Sequence, residues 1–332
     1  MPQASYPFAV ARVSALSTKL LTSAQLRHIA DATTEEEAWN LLIETGYGGA
    51  QAGAEPPLLK DIDYFIRSQQ QFTRKEVWEL TPDPERTKLF LVQVDVHNLK
   101  ALLKARLLEI PVPDILRTGG IMPVELLIDA VKNHNYNQLP DAFKKVMNEV
   151  EQDLQREVDP LLFSAKIDGA AFTFINDTLN ALNDHSFVRA YFSLYADFQN
   201  TRSLIRARFL HWDVDKIRYM LLDGGEMDKK IFLDAIGTPL DQLSGKLNRG
   251  SNGLLIAQTI DDYNSDIHRA ILRKKMESAT LDIIRNAANE SFGLGKIIAY
   301  LFSRNTEARA LRVIFGAKRS GTEPEIPEIL NN

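Results

Sequence analysis

The amino-acid sequence predicts an all-α protein built from three related helical units, and three observations carry that prediction. Proline is absent between Pro160 and Pro239, and again between Pro239 and Pro324. Stretches of that length favour unbroken helices, because an interior proline removes a backbone hydrogen bond and clashes with the preceding turn, at about 3 kcal/mol. Alternating runs of Val, Ile and aromatic residues closed by hairpin glycines are nearly missing. The chain also repeats itself. Asp95-Val-His-Asn98-Leu-Lys100-Ala-Leu-Leu-Lys104-Ala-Arg106 returns as Asp197-Phe-Gln-Asn200-Thr-Arg202-Ser-Leu-Ile-Arg206-Ala-Arg208, the same or conservatively changed at nine of twelve positions.

Taken in order along the chain, the first clear loop is Gly46 to Pro57, whose small residues neither pack nor favour a helix. Thr81-Pro82-Asp83-Pro84 then offers an Asp N-cap with Pro at the first helical position, and Pro111 and Pro113 stop the helix that follows. That element, residues 84–110, spans roughly 40 Å at ~1.5 Å per residue. Leu89 to Val96 is the best strand-like run, yet it lies inside this helical pattern. A second long helix starts near Asp184 or Ser186 and runs, bent near His211-Trp212-Asp213, toward Gly224-Gly225. A third starts after Ser291 and ends before Gly321. The tail from Arg319 to Asn332, where Pro324 and Pro327 alternate with glutamates, is expected to fray.

The repeats extend beyond the long helices. Gly119-Gly120-Ile-Met122 leads to Ile128-Asp129-Ala130, and Gly224-Gly225-Glu-Met227 leads to Leu233-Asp234-Ala235. A third copy is divided between the chain ends. Glu307 to Lys318 keeps the acid, the base Arg312 five residues later, the apolar pair and the final base, with Ala310 in place of the Asn. Ile29-Ala30-Asp31-Ala32 echoes the Asp-Ala end of the second element, which aligns Ala24 with Met122. Repeats whose first and last parts join close into a ring, whereas an open solenoid leaves both ends as caps. The expected units are residues 1–80 with 290–332, residues 81–182 and residues 183–289.

Composition excludes several functions. A chain of 332 residues has room for a substantial core divided among such units, and a net charge of −5 with mixed signs gives no basic field for nucleic acid. The absence of cysteine removes disulfides, thiol catalysis and Cys-based metal sites, and fits a reducing compartment. No apolar run approaches the ~18 residues of a bilayer span, and Met1 to Pro7 lacks the basic start and apolar stretch of a signal peptide. A soluble, cytoplasmic protein is expected.

Chemistry is sparse. Phe292-Gly293-Leu-Gly295-Lys296 departs from a phosphate loop in its spacing and in the Ile297 that follows the lysine, so it reads as a helix start whose small residues admit another backbone. Asp261, Asp262 and Asp266 are the sharpest enzyme-like feature, because clustered carboxylates on a helix can hold magnesium against a diphosphate. Ser265 stands where the third carboxylate belongs, and no second metal motif accompanies them. The six histidines show no metal-ligand spacing. The repeated polar residues admit two readings. Asp95 with Asn98, Asp197 with Asn200, and Glu307 can tie helices together within each unit. Lys100 with Lys104, Arg202 with Arg206, and Arg312 are either solvated or form basic faces that converge on an acidic partner.

These segments resemble the C subunit of V/A-type rotary ATPases and are similar to the d subunit of eukaryotic vacuolar ATPases. The resemblance rests on Tyr6-Pro-Phe-Ala-Val-Ala-Arg12, the two Asp-x-x-Asn segments, and Ile297 to Glu307 running on through Arg312-Val-Ile; it covers nearly the whole chain. It implies a funnel of three V-shaped units with pseudo-three-fold symmetry. It further implies a non-catalytic connector on the cytoplasmic face of the membrane proteolipid ring that receives the rotor shaft, with no cofactor, no metal and no homo-oligomer. The alternatives are a magnesium-dependent diphosphate enzyme using the Asp261 cluster, and an unrelated helical scaffold.

Overall fold

The structure, a computed structural model, describes residues 5–48, 62–154, 159–265, 271–289 and 293–326, and every regular element among them is helical. The elements are α1 (Tyr6–Ser17), α2 (Ser23–Asp31), α3 (Glu35–Glu44), α4 (Ile62–Leu80), α5 (Pro84–Leu107), α6 (Val124–Lys132), α7 (Asp141–Leu154) and α8 (Pro160–Ala181). They continue as α9 (Phe187–Phe209), α10 (Val214–Met220), α11 (Lys229–Asp234), α12 (Leu243–Leu247), α13 (Gly250–Ser265), α14 (Ile271–Ala288) and α15 (Leu294–Ser320). Met1 to Ala4, most of the Gly46–Pro57 loop, Asp266, Ser291 and the tail beyond Ile326 lie outside the described residues. The chain forms two compact units, residues 1–87 with 284–332 and residues 88–283.

In the first unit α15 is the hub, with α1, α2, α3 and α4 all packed against it. Being covered from several sides, it buries five consecutive residues, Ile297, Ile298, Ala299, Tyr300 and Leu301, and so is buried around most of its circumference there rather than along one stripe. Trp39 stands edge-on to both Phe65 and Phe315, with centroids 5.7 and 6.4 Å away. The start of α2 is fixed by a reciprocal cap: the Thr22 hydroxyl accepts from the Gln25 amide and the Gln25 side chain accepts from the Thr22 amide. Gly295 lies against the backbone of Ala287, where a Cβ would overlap the carbonyl, so the close-approach reading of the Gly293–Lys296 segment describes its packing.

In the second unit the strand-like run of α5 folds as helix because its fully buried residues keep helical spacing. Leu89, Val92, Val96, Leu99 and Leu103 fall three and four residues apart along one face. At the start of α5, still within the first unit, the Asp83 side chain accepts from the Arg86 amide, and in the second unit the Ser186 hydroxyl accepts from Val188 at the start of α9. Phe90, Phe192 and Tyr191 cluster between α5 and α9, while Phe172 of α8 stacks on Tyr195 at 5.8 Å. The expected bent helix through His211 is instead two helices. Helix α9 ends at Phe209, His211 turns left-handed (φ 52°), and Asp213 caps a new helix, α10, by accepting from Lys216. The expected stop at 110 likewise falls at Leu107, with Glu109 left-handed (φ 52°).

These ends reveal a further repeat. Glu109, His211 and Gly321 each lie fourteen residues after the repeated acid and each adopts positive φ. The next residue's amide reaches back to the helix: Ile110 to Ala105, Trp212 to Ala207 and Thr322 to Ala317, at 2.9–3.0 Å. Only the third copy uses the glycine that the conformation favours.

Candidate functional site

The repeated acids are buried and grip backbone. Asp95 accepts from the amides of Ile121 and Met122 at 2.8 and 3.2 Å, and Asp197 from Glu226 and Met227 at 2.8 and 3.3 Å. Glu307 accepts from Leu21, with one further carboxylate contact to Arg304 at 2.8 Å. In each case the gripped residue stands just before a short helix, α6, α11 or α2, at the end where backbone amides lack partners. Close approach requires glycine, because a Cβ at Gly120 would overlap Asp95 and one at Gly225 would overlap Asp197.

The opposite end of each short helix is held by the base eleven residues after the acid. Arg106 donates to the Val131 carbonyl at 2.9 Å, Arg208 to Ile236 at 3.4 Å and also to Thr238, and Lys318 to Ala30 at 2.5 Å and also to Ala32. Val131, Ile236 and Ala30 each lie nine residues beyond Met122, Met227 and Leu21. Acid and base therefore clamp both termini of one helix, in the same register in all three copies, each with the charge that complements the dipole at its end. This corrects the alignment of Ala24 with Met122: Leu21 is the equivalent residue, and Asp31 is not the counterpart of Asp129. The final base is visible in the sequence pattern as a fixed offset, but its partner is not.

The amide of the Asp-x-x-Asn segment has its own role. Asn98 bridges the amide and carbonyl of Arg117 at 2.8 and 2.7 Å, and Asn200 does the same to Leu222 at 2.7 and 3.0 Å. The residue equivalent to Arg117 in the third copy is Leu16, five before Leu21, and it belongs to α1 with its carbonyl already accepting from Lys19. Ala310 therefore replaces the Asn where there is no open loop to bridge.

Burial dominates the electrostatics. It pushes Asp95 up to about 7 and Asp197 up to about 6, against the amides that favour the charged form. It pushes Glu307 up to about 7, opposed by the Arg304 guanidinium. That guanidinium also lies over the Tyr47 ring at 5.0 Å.

The candidate basic residues do not share one environment. Lys100 pairs with Asp168 at 2.5 Å and Lys104 is exposed. Arg202 and Arg206 are exposed on one face of α9, the first donating to Gln199 at 3.0 Å and the second resting 5.6 Å from the Trp212 centroid. Arg312 is half-buried and donates to Gln70 at 2.7 Å. The acidic cluster gains no support: Asp261 is exposed, Asp262 pairs with Lys275 at 3.2 Å, and Asp266 lies outside the described residues. No group of three or more His, Asp or Glu side chains among the described residues is placed to hold a metal, and no described helix is long and apolar enough to cross a membrane.

Comparison with known proteins matches residues 9–328 to the family model described as ATP synthase (C/AC39) subunit. The chain is 26% identical to the C subunit of the V-type ATP synthase of Thermus thermophilus, over 86% of this chain and 87% of that protein. It is 22% identical to the C subunit of the A-type ATP synthase of Methanosphaera stadtmanae, over 98% of this chain and 87% of that protein. It is 25% identical to that of Methanothermobacter thermautotrophicus, over 98% and 86%.

Proposed function

The chain belongs to the ATP synthase (C/AC39) subunit family, and from that premise we propose that it is the non-catalytic central-stalk connector of a V/A-type rotary ATPase. It joins the rotor shaft to the membrane proteolipid ring on the cytoplasmic face, so that ATP turnover and ion movement are linked. Its three V-shaped units, residues 1–80 with 290–332, 81–182 and 183–289, form a funnel with pseudo-three-fold symmetry. Its partners are the shaft subunits and the ring, and its association with the membrane is indirect.

The observation that carries this reading is the clamp, present three times with the same eleven- and nine-residue offsets. A connector that transmits torque needs helix pairs that do not slide or fray under load, and fixing a helix at both ends provides that. Its interfaces must be broad, roughly 2,000 Å² or more in total, to avoid slipping. Purifying the rotary complex from cells with and without this chain tests the proposal. Without it, ATP hydrolysis by the soluble head should persist while ATP-driven ion pumping is lost, and the shaft should no longer co-purify with the ring. A complex that pumps normally without the chain would overturn the connector role.

A further inference from the structure

The second unit holds a cavity of about 650 Å³, lined chiefly by α8 and α9, that the clamps do not use. Its size is that of a small-molecule pocket. Part of its lining is apolar: Phe172 and Tyr195 stack on each other at 5.8 Å, with Ile205 and Leu222 also on the wall. At its mouth Phe209 and Leu210 are left 52% and 50% exposed, although both can bury apolar surface against an occupant.

One wall is charged. Arg202 and Arg206 both line the cavity, four residues apart on α9. Arg202 donates only to the neutral Gln199, and Arg206 rests on the Trp212 ring, so neither meets a carboxylate among the described residues. The carboxylate across the cavity, Asp168, is already neutralised by Lys100 at 2.5 Å. The corresponding base in the first copy thus has its counter-ion, and the pair in the second does not.

We infer that this cavity binds an amphipathic anion, a single acidic group held by Arg202 and Arg206 with an apolar chain lying against Phe172 and Tyr195. Guanidinium groups bind carboxylate or phosphate through paired hydrogen bonds, and this supplies orientation. The chain supplies affinity by leaving water for the aromatic lining. This inference is independent of assembly with other subunits, since all its residues come from one unit of the isolated chain.

The test uses the full chain alone, titrated with decanoate below its micelle concentration, and with decyl phosphate, decanol and acetate, by calorimetry. One saturable site for decanoate or decyl phosphate is expected, with decanol and acetate each at least tenfold weaker. The double variant Arg202→Gln with Arg206→Gln should weaken anion binding at least tenfold with an unchanged melt. Ala165→Phe, which fills the cavity and leaves both charges, should do the same. If decanol binds as tightly as decanoate, if uptake is non-saturable, or if the double variant binds normally, the inference is wrong.

Discussion

Asp197 satisfies two backbone amides and the Asn252 side chain at 2.9 Å, all within the fold, so it serves structure before anything else. Removing a buried acceptor strands its donors, at about 1–3 kcal/mol for each group. Asp197→Ala and Asp95→Ala should therefore each cost about 3–5 kcal/mol in urea melts, well beyond a typical surface change. Gly225→Ala should cost about 2–4 kcal/mol by displacing that carboxylate, and Asp197→Ala with Gly225→Ala should cost less than the two together, because the second clash disappears with the first residue. Additive costs would detach the glycine from the clamp. The buried acids also set a pH dependence. Asp95 and Glu307 titrate near 7 and Asp197 near 6 in the folded chain, against about 4 for carboxylates in an unfolded one. The folded state thus binds more protons in that interval, and these groups contribute stability that is full below about pH 4 and lost as pH rises through 6 and 7. Melting temperature should fall from pH 5 to pH 8, and Glu307→Gln should flatten the slope; an unchanged slope would exclude burial of Glu307 as its source.

Helix ends explain features that the helix interiors do not. His211 and Glu109 hold positive φ at positions where the third copy has Gly321, and a side chain there costs about 1 kcal/mol. His211→Gly should raise stability by up to about 1 kcal/mol and Gly321→Ala should lower it by a similar amount, read from paired thermal melts. Asn200→Ala should cost about 2–3 kcal/mol because it releases both backbone groups of Leu222. Ala310→Asn, which restores the repeat pattern at a fully buried position, should instead destabilise, since no loop backbone is open to pair with it.

Across the whole molecule, residues almost 300 positions apart share one unit. Glu307 and Lys318 hold both ends of α2, while Arg319 pairs with Glu35 and Asp63. In native-state hydrogen exchange, amides of α2 and α15 should therefore open with one free energy, and Lys318→Ala should lower protection in α2 as much as near its own position. Independent opening would mean that the clamp does not couple the two ends of the chain. Reversing Arg202 and Arg206 to Glu, both exposed, should change stability by only a few tenths of a kcal/mol. Under the connector proposal it should weaken co-purification with shaft and ring, more strongly at low salt. Normal assembly with an unchanged melt would remove that face from the coupling surface.

Much of this was legible in the sequence. Proline spacing and the 3-4 rhythm of Leu89, Val92 and Val96 fix helix over strand, because both are local consequences of backbone geometry. The recurrence of acid, amide and base marked the residues that matter, and Gly119-Gly120 with Gly224-Gly225 marked where the chain must come close. What those residues do was decided only in three dimensions. Nothing local says that Arg106 reaches Val131, that Glu307 reaches Leu21 across 286 positions, or that Ala310 stands where α1 has taken the place of a loop. The same type of base is a helix clamp at Arg208, an ion pair at Lys100 and a cavity wall at Arg202. A side chain's partner depends on which distant backbone the fold brings within about 3 Å, and periodicity carries no information about that distance.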